Sequence, residues 1–181
     1  MEIYKLKFTI LQMEILRFLF IKFGMSFNER GLANHLNVSP TAISNALEKL
    51  EKENLILVKK DKESKRLSIS LNRDNNKVYN LKRVENLKLI YESGLAEFLS
   101  DNFPGSSIIL FGSYSYGEDN INSDIDIAII GAKEKEIDLT RFHKLLERPV
   151  MLNFYEDFKG IVKNLKDNLC NGIVLEGAIQ L

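Results

Sequence analysis

The sequence predicts an α+β protein in which helices and a β-hairpin precede a small mixed sheet with helices packed on it. The prediction rests on capped helices followed by alternating strands in residues 9–71, a polar break at 72–76, and two apolar strands around a Gly-Ser pair in 108–130. A length of 181 residues is enough for two small domains. We therefore expect three segments, at residues 1–76, 77–102 and 103–181, the middle one being a connecting helix.

Composition and charge narrow the class of protein. The chain is 45% hydrophobic and 28% charged, as globular proteins are, and its single Cys170 excludes a disulfide framework and a cysteine-based zinc site. No secretory signal is recognisable, and the apolar stretch 11–23 is too short and too charged to span a membrane, so we expect a cytoplasmic protein without a membrane partner. Residues 1–76 hold 13 basic and 9 acidic side chains, whereas 77–181 hold 12 and 16, which suggests different partners for the two halves.

A first helix is predicted to start at Thr9, which forms a capping box with Gln12 three residues on. Its apolar positions are dense, as in a helix buried on most sides, and Gly24 is expected to end it. The preceding residues 1–8 alternate weakly and predict a short strand or an arm.

Two short helices with a tight turn between them follow. Asn28 caps the first, at 29–36, and Ser39 caps the second, with Pro40 at the first helical position, where proline is best tolerated. The second helix has an apolar stripe and a small polar face, which is typical of a helix-turn-helix. The stripe is Ile43, Ala46, Leu47 and Leu50, and the polar face is Thr41, Ser44, Asn45, Glu48 and Lys49.

A strand–turn–strand hairpin with a basic tip is predicted after Asn54. The basic residues are Lys59, Lys60, Lys62, Lys65 and Arg66. With this hairpin, residues 9–71 resemble the winged helix-turn-helix domain of MarR-like and ArsR-like regulators, most closely in the run 31–51. Double-stranded DNA is the expected partner, and a homodimer the expected state, although winged helices also serve protein contacts. The basic residues would contact phosphates, and Thr41, Ser44, Asn45 and Lys49 would line the DNA-facing helix.

Residues 108–130 hold the candidate chemistry. An apolar strand leads into Gly112-Ser113, a polar turn follows, and a second apolar strand carries Asp124 and Asp126. Side chains alternate along a strand, so the two carboxylates share one face while Ile125 and Ile127 point into the core. Such a pair repels unless a cation lies between them, and Mg²⁺ suits carboxylates combined with substrate phosphates.

A glycine at a strand end lets the backbone approach a ligand closely, and N–H groups with a hydroxyl can hold phosphate oxygens. A phosphate site beside a metal site is the apparatus of nucleotidyl transfer. Residues 108–130 resemble the motif of the polymerase-β-like nucleotidyltransferase superfamily in its minimal form. The resemblance implies that Gly112 and Ser113 hold a nucleoside triphosphate, with ATP expected, and that Asp124 and Asp126 bind the catalytic Mg²⁺. Tyr116 stands where many members have a basic residue.

The remaining segments predict further elements of that fold. Residues 77–102 predict one long helix or two that meet near Gly94. Beyond the second aspartate we expect a helix at 139–146, a strand at 150–155, a helix at 158–169 and an extended piece at 171–177.

A third carboxylate, which active members of the superfamily carry on the neighbouring strand, is not found at 150–155. Met151 and Asn153 share one face there, and one or the other would stand at the place of the third carboxylate. An asparagine can coordinate a metal but cannot act as a base. Two hypotheses follow. One is a DNA-binding regulator whose second domain senses a nucleotide, with weak or lost catalysis. The alternative is an active enzyme that transfers a nucleotide to a protein or small-molecule hydroxyl.

Overall fold

The computed structural model describes residues 7–60 and 67–179, in two compact units with the boundary after Val78. Most of the predicted N-terminal arm and the wing residues Lys62, Lys65 and Arg66 lie outside the described residues. Within the described part of the chain, no helix is both long and apolar enough to cross a membrane.

The first unit consists of three helices and a two-stranded antiparallel hairpin. The helices are α1 (Ile10–Ile21), α2 (Glu29–Leu36) and α3 (Pro40–Lys52), and the strands are β1 (Ile56–Lys60) and β2 (Leu67–Leu71). Its core contains the apolar stripe that helical spacing predicts for α3. Ile43, Leu47 and Leu50 of that stripe are all buried. The α+β prediction is therefore confirmed in its first part.

Local capping chemistry sets the helix starts of this unit. Thr9 and Gln12 form the predicted capping box, and the side chains of Asn28 and Ser39 accept hydrogen bonds from the first turns of α2 and α3. The end of α1 differs from the prediction, since the helix stops at Ile21 and a turn leads to Gly24, whose φ is +90°.

The predicted polar break is an ordered turn. Asn72 is buried, and its Nδ2 donates to the backbone oxygen of Asn54 at 3.1 Å and to its Oδ1 at 2.9 Å. Asn75 also donates to the Asn54 carbonyl, at 2.8 Å. These amides satisfy backbone groups at the end of the hairpin, so the polar composition here reflects hydrogen bonding and not a free linker.

The second unit contains a four-stranded sheet with helices on it. The helices are α4 (Asn76–Glu92), which starts just before the unit boundary, α5 (Leu95–Asn102), α6 (Gly112–Tyr116), α7 (Thr140–Leu146) and α8 (Lys163–Cys170). The strands are β3 (Ser107–Phe111), β4 (Ile125–Ile130), β5 (Val150–Tyr155) and β6 (Ile173–Glu176). Their order is β5-β4-β3-β6, with β4 parallel to β5 and antiparallel to β3, which is itself antiparallel to β6. The sheet is thus mixed, as predicted.

Each face of the sheet covers its own apolar cluster. Ile125 and Ile127 are fully buried in the larger cluster, together with residues of α5 and α7, as the alternation of β4 predicts. Ala128 and Ile130 lie on the opposite face and pack with Leu169 of α8. Strand alternation places Asp126 on this second face, at the start of β4.

Three local predictions are refined. Two helices, α4 and α5, meet at Gly94, whose left-handed φ of +74° ends one and begins the other. Helix α8 begins at Lys163 and not at Phe158, because Asp157 caps a turn by accepting from the N–H of Gly160 at 2.6 Å. Helix α6 directly after β3 was not predicted.

Candidate functional site

The two candidate metal ligands lie at the start of β4. Asp124 precedes the strand and is exposed, whereas Asp126 is the second strand residue and is half-buried. Burial raises the pKa of the Asp126 carboxyl, and the nearby negative charge of Asp124 raises it further. The two carboxylates are thus close enough to repel each other, as the spacing predicts.

Gly112 packs directly against Asp126. Phe111 pairs with Asp126 in the antiparallel register of β3 and β4, so the chain turns into α6 beside this carboxylate. Gly112 has φ of +69°, and a Cβ atom there would lie 2.7 Å from Oδ2 of Asp126. A side chain at residue 112 would therefore occupy the space of the carboxylate, while Ser113 follows in the first turn of α6.

The register of β5 against β4 distinguishes Met151 from Asn153, the two candidates for the place of a third carboxylate. Met151 pairs with Asp126, and Asn153 pairs with Ala128, one side-chain step further along the same face. The Met151 side chain is 48% exposed. Tyr155 lies on this face as well, and its pKa is raised by burial and then by the charge of Asp126. The neutral Met151 is thus the direct neighbour of the half-buried Asp126 carboxylate.

The residues at this end of the sheet fit a divalent cation. A cation between Asp124 and Asp126 would relieve the repulsion that raises the Asp126 pKa, and oxygen ligands are those that Mg²⁺ prefers. No group of three or more His, Cys, Asp or Glu side chains suited to a metal occurs in residues 7–60 and 67–179. The protein would therefore supply two carboxylates, and further ligands would be water or substrate phosphate.

A buried polar network surrounds Asp119, which lies in the polar turn between Gly112-Ser113 and Asp124, and this network was not predicted from the sequence. Lys82 of α4 forms an ion pair with Oδ1 of Asp119, and both side chains are essentially inaccessible to solvent. Asn86, one turn further along α4, donates to the same Oδ1 at 2.7 Å and to the carbonyl of Tyr114 at 2.9 Å. Arg148 approaches Oδ2 of Asp119 at 3.7 Å.

Two effects on the Lys82 ammonium oppose each other, and burial is the larger. Burial lowers the pKa of Lys82, and the charge of Asp119 acts in the opposite direction. The signal that could have revealed the network is the placement of Lys82 and Asn86 four residues apart, which puts both on one helix face. Sequence alone could not show that this face is buried.

Helix α4 also contacts the end of α6. Gly117, with φ of +75°, packs so closely that a Cβ atom would lie 2.5 Å from the Tyr79 carbonyl oxygen and 2.8 Å from the Arg83 nitrogen. The guanidinium of Arg83 lies 6.0 Å from the centroid of the Tyr116 ring. Tyr116 itself stands where the resemblance implies a basic residue.

Two cavities lie at the opposite end of the sheet from Asp126. One, of about 470 Å³, is lined by residues around the start of β3, the end of β4 and the 156–159 turn, and the other, of about 460 Å³, by 131–133 and 154–156. Neither contains a residue of the Gly-Ser or aspartate motif, so we assign neither to the candidate site.

In the first unit, the polar face of α3 is exposed. Thr41, Ser44 and Asn45 are accessible to solvent, as are Lys59 and Lys60 at the end of β1. Lys49 is exposed too, but its ammonium donates to the backbone carbonyl of Lys7. This contact holds Lys49 toward the chain that precedes α1.

Comparisons with protein families agree with the division of the chain into two units. Residues 8–68 match the family model described as MarR family, and residues 92–170 match the one described as Nucleotidyltransferase domain. No curated protein matches this chain.

Solved structures similar to this chain include a cysteine-to-serine mutant of ZitR from Lactococcus lactis, at 22% identity and a TM-score of 0.41, covering 58% of this chain and 68% of that one. MepR, a transcription regulator of the Staphylococcus aureus multidrug efflux pump MepA, is 23% identical with a TM-score of 0.39, covering 52% and 66%. The adhesin competence repressor AdcR from Streptococcus pyogenes is 20% identical with a TM-score of 0.41, covering 54% and 69%.

Proposed function

We propose that this chain, which joins a MarR-family winged helix-turn-helix domain to a nucleotidyltransferase domain, is a DNA-binding transcription regulator whose second domain binds a nucleoside triphosphate with Mg²⁺. The observation that carries the proposal is the close packing of Gly112 on Asp126, with the charge of Asp124, just before β4, close to the same carboxylate. This arrangement combines backbone that a phosphate can approach with carboxylates that suit a hard cation.

In the proposed site, Asp124 and Asp126 hold Mg²⁺, which would neutralise phosphate charge. The N–H groups of Gly112 and Ser113, at the start of α6, would hold phosphate oxygens together with the Ser113 hydroxyl. ATP is the expected nucleotide. The neutral Met151 beside Asp126 leaves no carboxylate base at that position, which supports a sensor with slow or absent transfer.

The first domain would bind duplex DNA as a homodimer on paired half-sites. Thr41, Ser44 and Asn45 support this role because they form the exposed face of the second helix of the helix-turn-helix. The exposed ammonium groups of Lys59 and Lys60 would contact phosphates.

One experiment tests the whole proposal. Duplexes are selected from a random-sequence library, and their affinity is measured with and without Mg²⁺ and ATP, for the wild type and for the double variant Asp124→Asn/Asp126→Asn. A sensor requires a nucleotide-dependent change of DNA affinity that the variant loses, because a ligand shifts an equilibrium only through a difference in affinity. Equal DNA affinity with and without bound nucleotide contradicts the sensor role.

The alternative is an active nucleotidyltransferase that modifies a protein or small-molecule hydroxyl. The pairing of Asp124 and Asp126 favours it, since catalysis needs the same metal ligands. Incubation with α-³²P-labelled nucleoside triphosphates separates the two functions. Label that becomes covalently attached to an acceptor supports the enzyme, and label that is retained without transfer supports the sensor.

A further inference from the structure

We infer that Asp119 is a positioning residue for the nucleotide site, held by Lys82, Asn86 and Arg148 so that it sets the relative placement of Ser113 and Asp124. The inference rests on the proposed function and adds to it the device that holds the site together. It starts from the burial of Asp119, whose exposed fraction is 1%. This residue lies in the spacer between the two halves of the motif, Gly112-Ser113 and Asp124/Asp126.

The buried network links the segments that carry the site. Asn86 uses one amide nitrogen to join Asp119 to the carbonyl of Tyr114, which lies in α6 next to Ser113. Arg148 lies just before β5, and the carbonyl of the adjacent Pro149 accepts from the N–H of Ile125 at 2.8 Å. Helix α6, the spacer and the approaches to β4 and β5 thus converge on one carboxylate.

Hydrogen bonds continue from Asp119 to both motif halves. Toward α6, the N–H of Glu118 donates to the Ser113 carbonyl at 2.9 Å. Toward β4, the Asn120 N–H donates to the Ser123 hydroxyl at 3.0 Å, and the Ser123 N–H donates back to the Asn120 carbonyl at 3.0 Å. Only one residue separates this closed turn from Ile125, so a shift of Asp119 displaces Asp124.

Burial makes the arrangement specific. A charged group removed from water must be paired and hydrogen-bonded, so Asp119, Lys82 and Arg148 have few alternative positions. An apolar contact in the same place would tolerate sliding. The network therefore defines one geometry for the segment between Ser113 and Asp124, as supporting residues around a metal site do.

The test uses two variants of the full chain. Lys82→Met/Asp119→Asn removes both partners of the ion pair while keeping their size, which avoids leaving an unpaired lysine. Asn86→Leu removes the two amide hydrogen bonds and keeps the ion pair. A control, Leu99→Ala, opens a cavity in the larger apolar cluster, where Leu99 of α5 is fully buried, and changes neither a network residue nor a motif residue.

Calorimetric affinity for ATP with Mg²⁺ is one measurement, and amide hydrogen exchange of residues 117–124 is the other. We expect both network variants to lose about tenfold or more in affinity and to exchange faster in 117–124. The control should lose thermal stability and retain wild-type affinity.

Wild-type affinity together with unchanged exchange in 117–124 in both folded variants would overturn the inference. So would a loss of affinity in Leu99→Ala equal to that of the network variants, because general destabilisation would then explain it. A wild type that binds no ATP contradicts the proposed function instead, and the exchange measurement still decides whether the network holds the spacer.

Discussion

Gly112 lies directly against the Asp126 carboxylate, because a Cβ at residue 112 would lie 2.7 Å from the Asp126 Oδ2 and would force that oxygen to shift. We predict that Gly112→Ala costs about 1–3 kcal/mol of stability from its left-handed φ and also displaces the carboxylate. Mg²⁺-dependent ATP binding should fall. Gly94→Ala is the matched control, since its φ of +74° is similar but nothing lies within 4 Å. Equal ATP affinities of the two variants, measured by calorimetry, would contradict the contact effect.

The carboxylate pair should be essential for metal-dependent binding. Asp124→Asn/Asp126→Asn should abolish calorimetric ATP binding in the presence of Mg²⁺ and leave the circular dichroism spectrum unchanged. Without metal, the thermal midpoint of the double variant should equal or exceed that of the wild type, because the repulsion between the two charges is gone. ATP affinity equal to that of the wild type would show that the site lies elsewhere.

Stability should depend on the ionisation of Asp126. Its pKa is raised in the folded protein by burial and by Asp124, so the folded state binds a proton more tightly than the unfolded state does. This difference stabilises the folded protein below about pH 4, the usual pKa of an aspartate, and the contribution is lost as pH rises through the folded pKa. The stability difference between Asp126→Asn and the wild type should therefore increase from about pH 4 upward and then level off. Urea unfolding at several pH values measures it. A difference that is independent of pH contradicts the raised pKa.

Met151 is the position at which a third carboxylate would act. Because Met151 pairs with Asp126, Met151→Asp should create or increase nucleotide transfer, whereas Asn153→Asp, opposite Ala128, should not. The Met151 side chain is 48% exposed. Met151→Asp should therefore cost less stability than the about 2–5 kcal/mol typical of removing a buried apolar side chain. Transfer of label from α-³²P-ATP, including self-modification, is the measurement with Mg²⁺ or Mn²⁺. A gain in Asn153→Asp alone would reverse the assignment.

Charge at the end of β1 should contribute to DNA binding on all sequences. Lys59→Glu/Lys60→Glu should lower affinity for selected and unselected duplexes and reduce the slope of log affinity against log salt by roughly 0.9 for each phosphate that the variant no longer neutralises. Lys133→Glu/Lys135→Glu makes the same change of charge at exposed residues of the other unit. If the two double variants lower DNA affinity equally, net charge and not a local interaction is responsible.

Short-range chemistry in the sequence was sufficient for much of the first unit and for the candidate ligands. Thr9, Asn28 and Ser39 cap their helices as predicted because a cap needs only the next three or four residues. The side of β4 that Ile125 and Ile127 face follows from strand alternation alone. The assignment of Asp124 and Asp126 as metal ligands stays a prediction, and their proximity on one side of the strand agrees with it.

Only the tertiary structure decided which side chains lie beside Asp126 and Asp119. The pairing of Met151 and not Asn153 with Asp126 depends on the register of two parallel strands, which no local pattern specifies. Asp119 lies in the polar turn before β4, and its burial against Lys82 depends on a contact across 37 positions of the chain. Local sequence sets caps and periodicity because their partners are near in the chain. Register and the pairing of buried charges are set by contacts between distant segments, and these exist only in the folded protein.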